Sequence, residues 1–261
     1  MKNCILVIST YNWPEALNLC LKSVMMQTVL PSQIIIADDG SDDRTKKIID
    51  NFTERAILNI KHVWHEDLGF RKTVIMNKAL KYANHDYVVQ IDGDIILDKN
   101  FIKDHLEQAE KGFFVRGTRS HISESFVSQM IDQQKVDFKF WSKGVKNRFN
   151  AIRIPSLTWL MTKREKSGRN VRGCNMAFWK SDFIKVNGYD NDLCGWGHED
   201  EELATRFVNN GIMKKSVKLA CVQYHIFHKL ASRAREDMHD SQLMKVRDEK
   251  ILIAENGYNE L

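Results

Sequence analysis

Tyr87-Val88-Val89-Gln90-Ile91-Asp92-Gly93-Asp94 is the stretch from which the rest of this chain is read. A short, mostly apolar run passes directly into two carboxylates separated by one glycine, so it reads as a buried strand with acids at its carboxyl end. Carboxylate oxygens are what Mg²⁺ and Mn²⁺ take together with substrate phosphates, and the glycine lets a ligand or backbone come close. Aspartate and glycine are also what a tight turn requires, so the motif alone leaves a metal clamp and an Asx turn both open.

Upstream, strand-like and helix-like segments alternate. Cys4 to Ser9 is a continuous apolar strand, and Pro14 suits the first turn of a helix carrying Leu17, Leu21, Val24 and Met25. Gln33 to Ala37 is a second strand. It ends in Asp38-Asp39-Gly40-Ser41-Asp42, whose turn chemistry caps a helix with Ile48, Ile49 and Phe52. Ile60 to Trp64 reads as a third strand and Lys72 to Tyr82 as a helix. This order predicts an α/β fold with a mostly parallel central sheet flanked by helices. Two acidic clusters then stand at strand carboxyl ends, the edge at which open α/β sheets bind ligands.

Downstream, helical patterns recur near 101–110 and 123–135, and a compact segment runs from Gly173 to Gly211. The charged tail from about Ser232 to Glu255 reads as a surface helix without chemistry. In Gly195-Trp196-Gly197-His198-Glu199-Asp200-Glu201-Glu202 four acids open a helix. The macrodipole there favours each by about 0.3–1 kcal/mol, which is a structural reason for their presence. The functional reading is that the indole of Trp196 stacks on a sugar while a neighbouring carboxylate accepts a proton. Tyr224-His225-Ile226-Phe227-His228 reads as the close of the last strand, so its two imidazoles converge only if the chain turns after His225; they are either structural or, in an oxygen-rich shell, ligands that favour Mn²⁺ over Mg²⁺. Arg71, Lys72 and Lys78 lie near the sheet edge, either offsetting diphosphate charge or simply solvated.

With 261 residues, three prolines and no repeat, the chain fits one catalytic domain. Five scattered cysteines without a C-x-x-C pair fit reduced thiols rather than a disulfide framework or structural zinc site. No signal-peptide core follows Met1 and no apolar run reaches spanning length, which predicts a cytoplasmic protein. The stretch from Lys135 to Arg172 is rich in Lys and Arg and holds Phe138, Phe140, Trp141, Phe149 and Trp159. It reads either as a surface for anionic lipid or an acidic acceptor, or as a solvated face with its aromatics turned to the core. No nucleic-acid reading module is present, so a nucleic-acid partner is not expected.

In order and spacing, Ser9-Thr10-Tyr11-Asn12, Ala37-Asp38-Asp39-Gly40-Ser41 and Asp92-Gly93-Asp94 resemble glycosyltransferase family 2, inverting enzymes of the GT-A fold. Gly173-Cys174-Asn175-Met176-Ala177-Phe178, Gly188-Tyr189-Asp190 and Gly195 to Asp200 resemble the acceptor half of galactosyl- and N-acetylgalactosaminyl-transferases, including chondroitin-polymerase-type modules. The resemblance implies a nucleotide-sugar half over 1–100, an acceptor half over 101–230 and a tail over 231–261. It further implies a UDP-sugar donor contacted by Thr10, Asp39, Asp67, Arg71, Asp92 and His228. Mn²⁺ or Mg²⁺ would be held by Asp92, Asp94 and His225, the acceptor sugar by Trp196 and Glu199, and Asp200 would be the base. The implied reaction is inverting transfer of a hexose or N-acetylhexosamine, leaning to galactose or N-acetylgalactosamine, to a glycan that is lipid-linked or free, in bacterial surface polysaccharide or lipopolysaccharide synthesis. His198 stands where such relatives often carry glycine. The alternatives are a glycan- or nucleotide-binding module that keeps the fold without turnover, and a sugar-phosphate nucleotidyltransferase. The second lacks its Gly-rich basic loop, since Ser9-Thr10-Tyr11-Asn12-Trp13-Pro14 is not one.

Overall fold

The structure is a computed structural model that describes residues 3–55, 58–229 and 236–261. The first half runs β1 (Ile5–Thr10), α1 (Pro14–Met25), β2 (Gln33–Asp38), α2 (Asp43–Glu54), β3 (Ile60–Trp64), α3 (Lys72–Lys81) and β4 (Tyr87–Asp92). Then follow β5 (Ile95–Leu97), α4 (Phe101–Gln108), β6 (Phe113–Arg116), β7 (Ser120–Ile122), α5 (Glu124–Asp132), β8 (Val145–Lys146), α6 (Thr158–Met161) and β9 (Lys163–Glu165). The chain continues through β10 (Met176–Trp179), α7 (Lys180–Lys185), α8 (Glu199–Asn209), β11 (Met213–Ser216), β12 (Gln223–His225) and α9 (Glu236–Asp248).

The main sheet has the order β3-β2-β1-β4-β10-β6-β11-β9. Its β3-β2-β1-β4 half is parallel, as the alternation of elements predicts, and β10 then joins antiparallel to both β4 and β6. Strands from both sides of residue 100 thus share one sheet. Because side chains alternate across a strand, β1 feeds two cores. Leu6 and Ile8 pack with Leu17, Leu21 and Phe52 on one face, while Ile5 and Val7 pack with Ile75, Met76 and Leu80 on the other. That two-sided burial explains why β1 is a continuous apolar run.

A second sheet, β5-β12-β7-β8, is foreseen only in its strand β12, because its strands are only two or three residues long. It fixes the site's geometry. β12 pairs antiparallel with β5 so that His225 faces Ile95, and Ile226 N–H donates to the Asp94 carbonyl at 2.9 Å.

The expected surface helix of the tail falls partly on 232–235, outside the described residues. Its described part, α9, is more than a surface element: His239, Leu243 and Val246 are buried, and Arg247 pairs with Glu201 of α8. In the basic stretch only Phe138 of the five aromatics turns to the core. Trp141, Phe149 and Trp159 are 63%, 61% and 74% exposed, so the reading with the aromatics turned inward does not hold.

Candidate active site

The carboxyl ends of β1 and β4, the turn before β10 and the amino end of α8 surround a cleft of about 630 Å³, a size suited to a nucleotide and a sugar. Thr10, Asp39, Asp92, Asp94, Trp196, Glu199, Asp200, His225 and His228 all line it.

At one end, Asp94, His225 and His228 offer ligand atoms that lie within 4.8 Å of one another. Asp94 Oδ2 is 3.3 Å from His225 Nε2 and 3.1 Å from His228 Nε2. The carboxylate raises His228 to about 9, whereas burial lowers His225 despite the same neighbour. Asp94 Oδ1 and His225 Nδ1 are buried and have no hydrogen-bond partner among the described residues. Two unsatisfied polar atoms in a cluster of one carboxylate and two imidazoles fit a divalent cation.

Asp92 stands apart from that cluster. Its Oδ1 accepts from Ser9 Oγ at 2.7 Å and lies 3.3 Å from Lys72 Nζ. The two acids therefore divide, one towards the histidines and the other towards Lys72. Gly93 between them sits so close to β1 that an added Cβ would lie 3.0 Å from Thr10 Oγ1, and its N–H donates to the Ser9 carbonyl at 2.7 Å.

Lys72 is the charge hub, a role its helical setting does not disclose. Its ammonium lies 3.3 Å from Asp92, 3.4 Å from Glu199 and 3.7 Å from Asp200. Burial opposes the charge, but the carboxylates of Asp200, Asp92 and Glu199 hold its pKa well above the ordinary lysine value.

Asp200 is held from both sides. Gly173 N–H donates to Oδ2 at 2.6 Å and Tyr189 O–H to Oδ1 at 2.8 Å, with Gln90 Nε2 donating to the tyrosine oxygen at 2.8 Å. Beside it, burial and the Asp200 charge raise the pKa of Glu199, whose Oε2 accepts from Gly197 N–H at 3.3 Å. The acids that open α8 thus split by role. Glu199 and Asp200 enter the cleft together with Lys72, Glu202 forms a buried pair with Arg206 at 2.6 Å, and Glu201 ties α8 to α9.

The turn into α8 carries His198 at φ +61°, left-handed backbone that glycine adopts most easily. Its flank is clasped by α9. The ring nitrogens of His239 lie against the Gly197 and Cys194 carbonyls, the latter at 3.1 Å, a contact without any sequence signal.

Of the acids at the carboxyl end of β2, Asp38 makes the turn. It accepts from Ser41 N–H at 2.8 Å and meets His62 Nε2 at 2.9 Å. Asp39 faces the cleft, its carboxylate already engaged by His65 Nε2 at 2.7 Å and by Arg71 N–H at 2.9 Å. Arg71 thus meets Asp39 through its backbone, while its guanidinium bonds the Glu66 carbonyl. Asp67 lies at the exposed rim, accepting from Tyr11 O–H at 2.9 Å and packed over Gly40, where a Cβ would lie 2.6 Å from its Cα.

A family model described as Glycosyl transferase family 2 matches residues 5–169, and one described as N-terminal domain of galactosyltransferase matches residues 157–229. Chondroitin synthase of Escherichia coli is 26% identical over 239 residues, covering 84% of this chain and 34% of its own length. Validoxylamine A glucosyltransferase of Streptomyces hygroscopicus subsp. limoneus is 26% identical over 223 residues, covering 79% of this chain and 48% of its own. The chain thus spans a third to a half of these relatives. Among solved structures, S. aureus TarS 1-349 in complex with UDP-GlcNAc has a TM-score of 0.64 at 16% identity, covering 99% of this chain and 69% of that one. Mannosyltransferase PcManGT from Pyrobaculum calidifontis, in complex with GDP-Man and Mn²⁺, has a TM-score of 0.62 at 17% identity, covering 94% and 64%. At such identities the likeness is one of fold, and the fold is the GT-A type expected from the sequence. With the first model matched over more than half of its length, the chain belongs to glycosyl transferase family 2.

Proposed function

We propose that this chain transfers a hexose or N-acetylhexosamine from a UDP-sugar to a hydroxyl of a glycan acceptor, with inversion at the anomeric carbon. The observation that carries the reading is the arrangement in one cleft, which brings the cluster of Asp94, His225 and His228 together with Asp200. Asp39 and Thr10, with Asp67 and Arg71 at the rim, would line the donor pocket. Trp196 would offer its ring to the acceptor sugar and Glu199 a hydrogen bond. Asp200 would take the proton of the attacking hydroxyl as the bond to UDP breaks, held in position by Gly173 and Tyr189. Lys72 would keep Asp92, Glu199 and Asp200 together in one small volume. A cation held by Asp94, His225 and His228 would neutralise the departing diphosphate, and the mixed nitrogen and oxygen donor set favours Mn²⁺.

The match over 157–229 leans the sugar towards galactose or N-acetylgalactosamine. An Escherichia coli relative, UDP-Gal:alpha-D-GlcNAc-diphosphoundecaprenol beta-1,3-galactosyltransferase, is 25% identical over 225 residues and supports a lipid-linked acceptor in surface polysaccharide assembly. No helix among the described residues is long and apolar enough to cross a membrane. The exposed Trp141, Phe149 and Trp159 among basic residues suit contact with an anionic membrane face, checked by flotation with anionic liposomes. UDP release with Mn²⁺, measured with and without a panel of acceptors, tests the main reading. Acceptor-stimulated release that Asp200→Asn removes while UDP still binds supports it. UDP binding without release from any UDP-sugar and acceptor in the panel would instead favour a binding module.

A further inference from the structure

Three guanidinium groups stand on the side of the cleft where β6, the loop after it and the turn before β10 meet: Arg116, Arg119 and Arg172. Arg119 and Arg172 line the cleft itself. Among the described residues none of the three makes an ion pair with a carboxylate within 4.0 Å. Among the described residues Arg119 Nη1 reaches only the Cys174 sulfur, at 3.7 Å, and its Nε is buried without a partner. Burial pushes the Cys174 thiol up to about 11, so it is neutral and brings no countercharge. Burial, together with Arg119 and Arg116, lowers the pKa of Arg172, and burial and Arg119 lower that of Arg116 against the charge of Glu165. Guanidinium stays protonated all the same, so the repulsion is carried by the fold. Elsewhere the buried cations are matched: Lys72 by three carboxylates and Arg206 by Glu202. Arg116 and Arg119, both half-buried, and the exposed Arg172 have no such match among the described residues.

Their place says what the charge is for. Arg172 directly precedes Gly173, whose N–H holds Asp200, while Arg119 lines the same cleft as His225. Arg119 and Arg172 therefore share the cleft with Asp200, where an acceptor would bring its hydroxyl to that carboxylate. We infer that Arg119 and Arg172 form an anion subsite for the acceptor, so that the glycan accepted here carries a carboxylate or a phosphate close to the sugar that is extended. Guanidinium forks suit both anions, which come either from an acidic sugar or from a phosphate linking the glycan to its carrier. The inference deepens the transfer reading above and rests on it for the word acceptor.

The test is calorimetric titration of the full chain with Mn²⁺, with and without UDP, using three probes on one glycan. One ends in a glucuronate, the second is its carboxyl-reduced neutral counterpart, and the third is the neutral glycan carrying a phosphate at its reducing end. At least one anionic probe should bind about tenfold or more tightly than the neutral one, as expected for a charge-assisted hydrogen bond. Arg119→Gln with Arg172→Gln should abolish that preference and leave UDP affinity within about twofold. Exposed Arg172→Gln alone should reduce the preference in part, which keeps the test readable if the double variant folds poorly. Preference for the glucuronate identifies an acidic sugar as the source, and preference for the phosphate a phosphate-linked glycan. Equal binding of charged and neutral probes, or binding of none, overturns the inference. So does a double variant whose UDP affinity falls as far as its probe affinity, because the patch would then serve the donor diphosphate. Failure of UDP to bind sinks the donor reading separately, while the probes without UDP still report on the subsite.

Discussion

Gly173 donates its backbone N–H to Asp200 Oδ2 at 2.6 Å, and no side chain fits at 173. An added Cβ would lie 2.2 Å from Asp200 Oδ1 and 2.4 Å from Gln90 Nε2. Gly173→Ala should therefore displace the carboxylate rather than remove it. Turnover should fall about 10²- to 10⁴-fold, the range of a lost general base, with UDP affinity unchanged. Single-turnover kinetics beside UDP titration check this, and wild-type turnover in the variant would remove Asp200 from its assigned role.

The division between Asp92 and Asp94 should make metal binding unequal at the two. Asp94→Asn, His225→Ala and His228→Ala each remove a member of the cluster that offers ligand atoms within 4.8 Å of one another. Each should weaken Mn²⁺ by more than the roughly 10- to 100-fold typical of changes outside the ligand shell, whereas Asp92→Asn should stay within that range. Electron paramagnetic resonance titration of Mn²⁺ in the presence of UDP reads the difference. Equal losses at Asp92 and Asp94 would restore Asp92 as a direct ligand.

Lys72→Met would leave Asp92, Glu199 and Asp200 facing one another without their shared cation. Removing one partner from a buried charge set costs about 3–5 kcal/mol at neutral pH. Glu199, already raised by burial and by Asp200, can relieve the repulsion by taking up a proton. The penalty should thus shrink between pH 7 and pH 5, measured by denaturant unfolding, and a pH-independent penalty would contradict this account.

His239→Ala should act on the acceptor and spare the donor, because the ring clasps the Cys194 and Gly197 carbonyls on either side of Gly195-Trp196. We expect a higher acceptor KM with little change in UDP affinity. A change confined to thermal stability would reduce His239 to packing.

His105 predicts an acid limb in stability. Burial pushes its pKa down to about 4, and its Nε2 meets Asn175 Oδ1 at 3.0 Å. Between roughly pH 6.5 and 4 the unfolded chain binds a proton that the folded chain does not, so stability falls as pH falls, by about 3 kcal/mol in total. His105→Gln should flatten this limb relative to wild type in unfolding curves from pH 8 to pH 4.5.

The parallel half of the sheet was legible from residues because its signals are local. Continuous apolar runs mean strands buried on both faces, and Pro14 and Asp42 mark helix starts with a known chemistry; Asp42 indeed accepts from Arg44 N–H at 3.0 Å. The second sheet was legible only in β12, since strands of two or three residues carry no periodicity. Trp141, Phe149 and Trp159 were ambiguous for a similar reason: composition fixes how many aromatics a stretch holds but not which face they take.

By itself, then, the sequence determined the α/β order of elements, the family and the carboxylates at the strand ends, all of which depend on neighbours along the chain. Tertiary structure alone decided how those carboxylates are used. Asp94 meets His225 because the β5–β12 register sets Ile95 opposite His225, and Asp92 meets Lys72 because α3 packs beside β1 and β2. Asp200 is fixed by a glycine before β10 and by Tyr189, and His239 reaches the Gly-Trp-Gly turn from the far end of the chain. Contacts between residues this far apart in sequence follow from pairing register and packing, which no local pattern encodes.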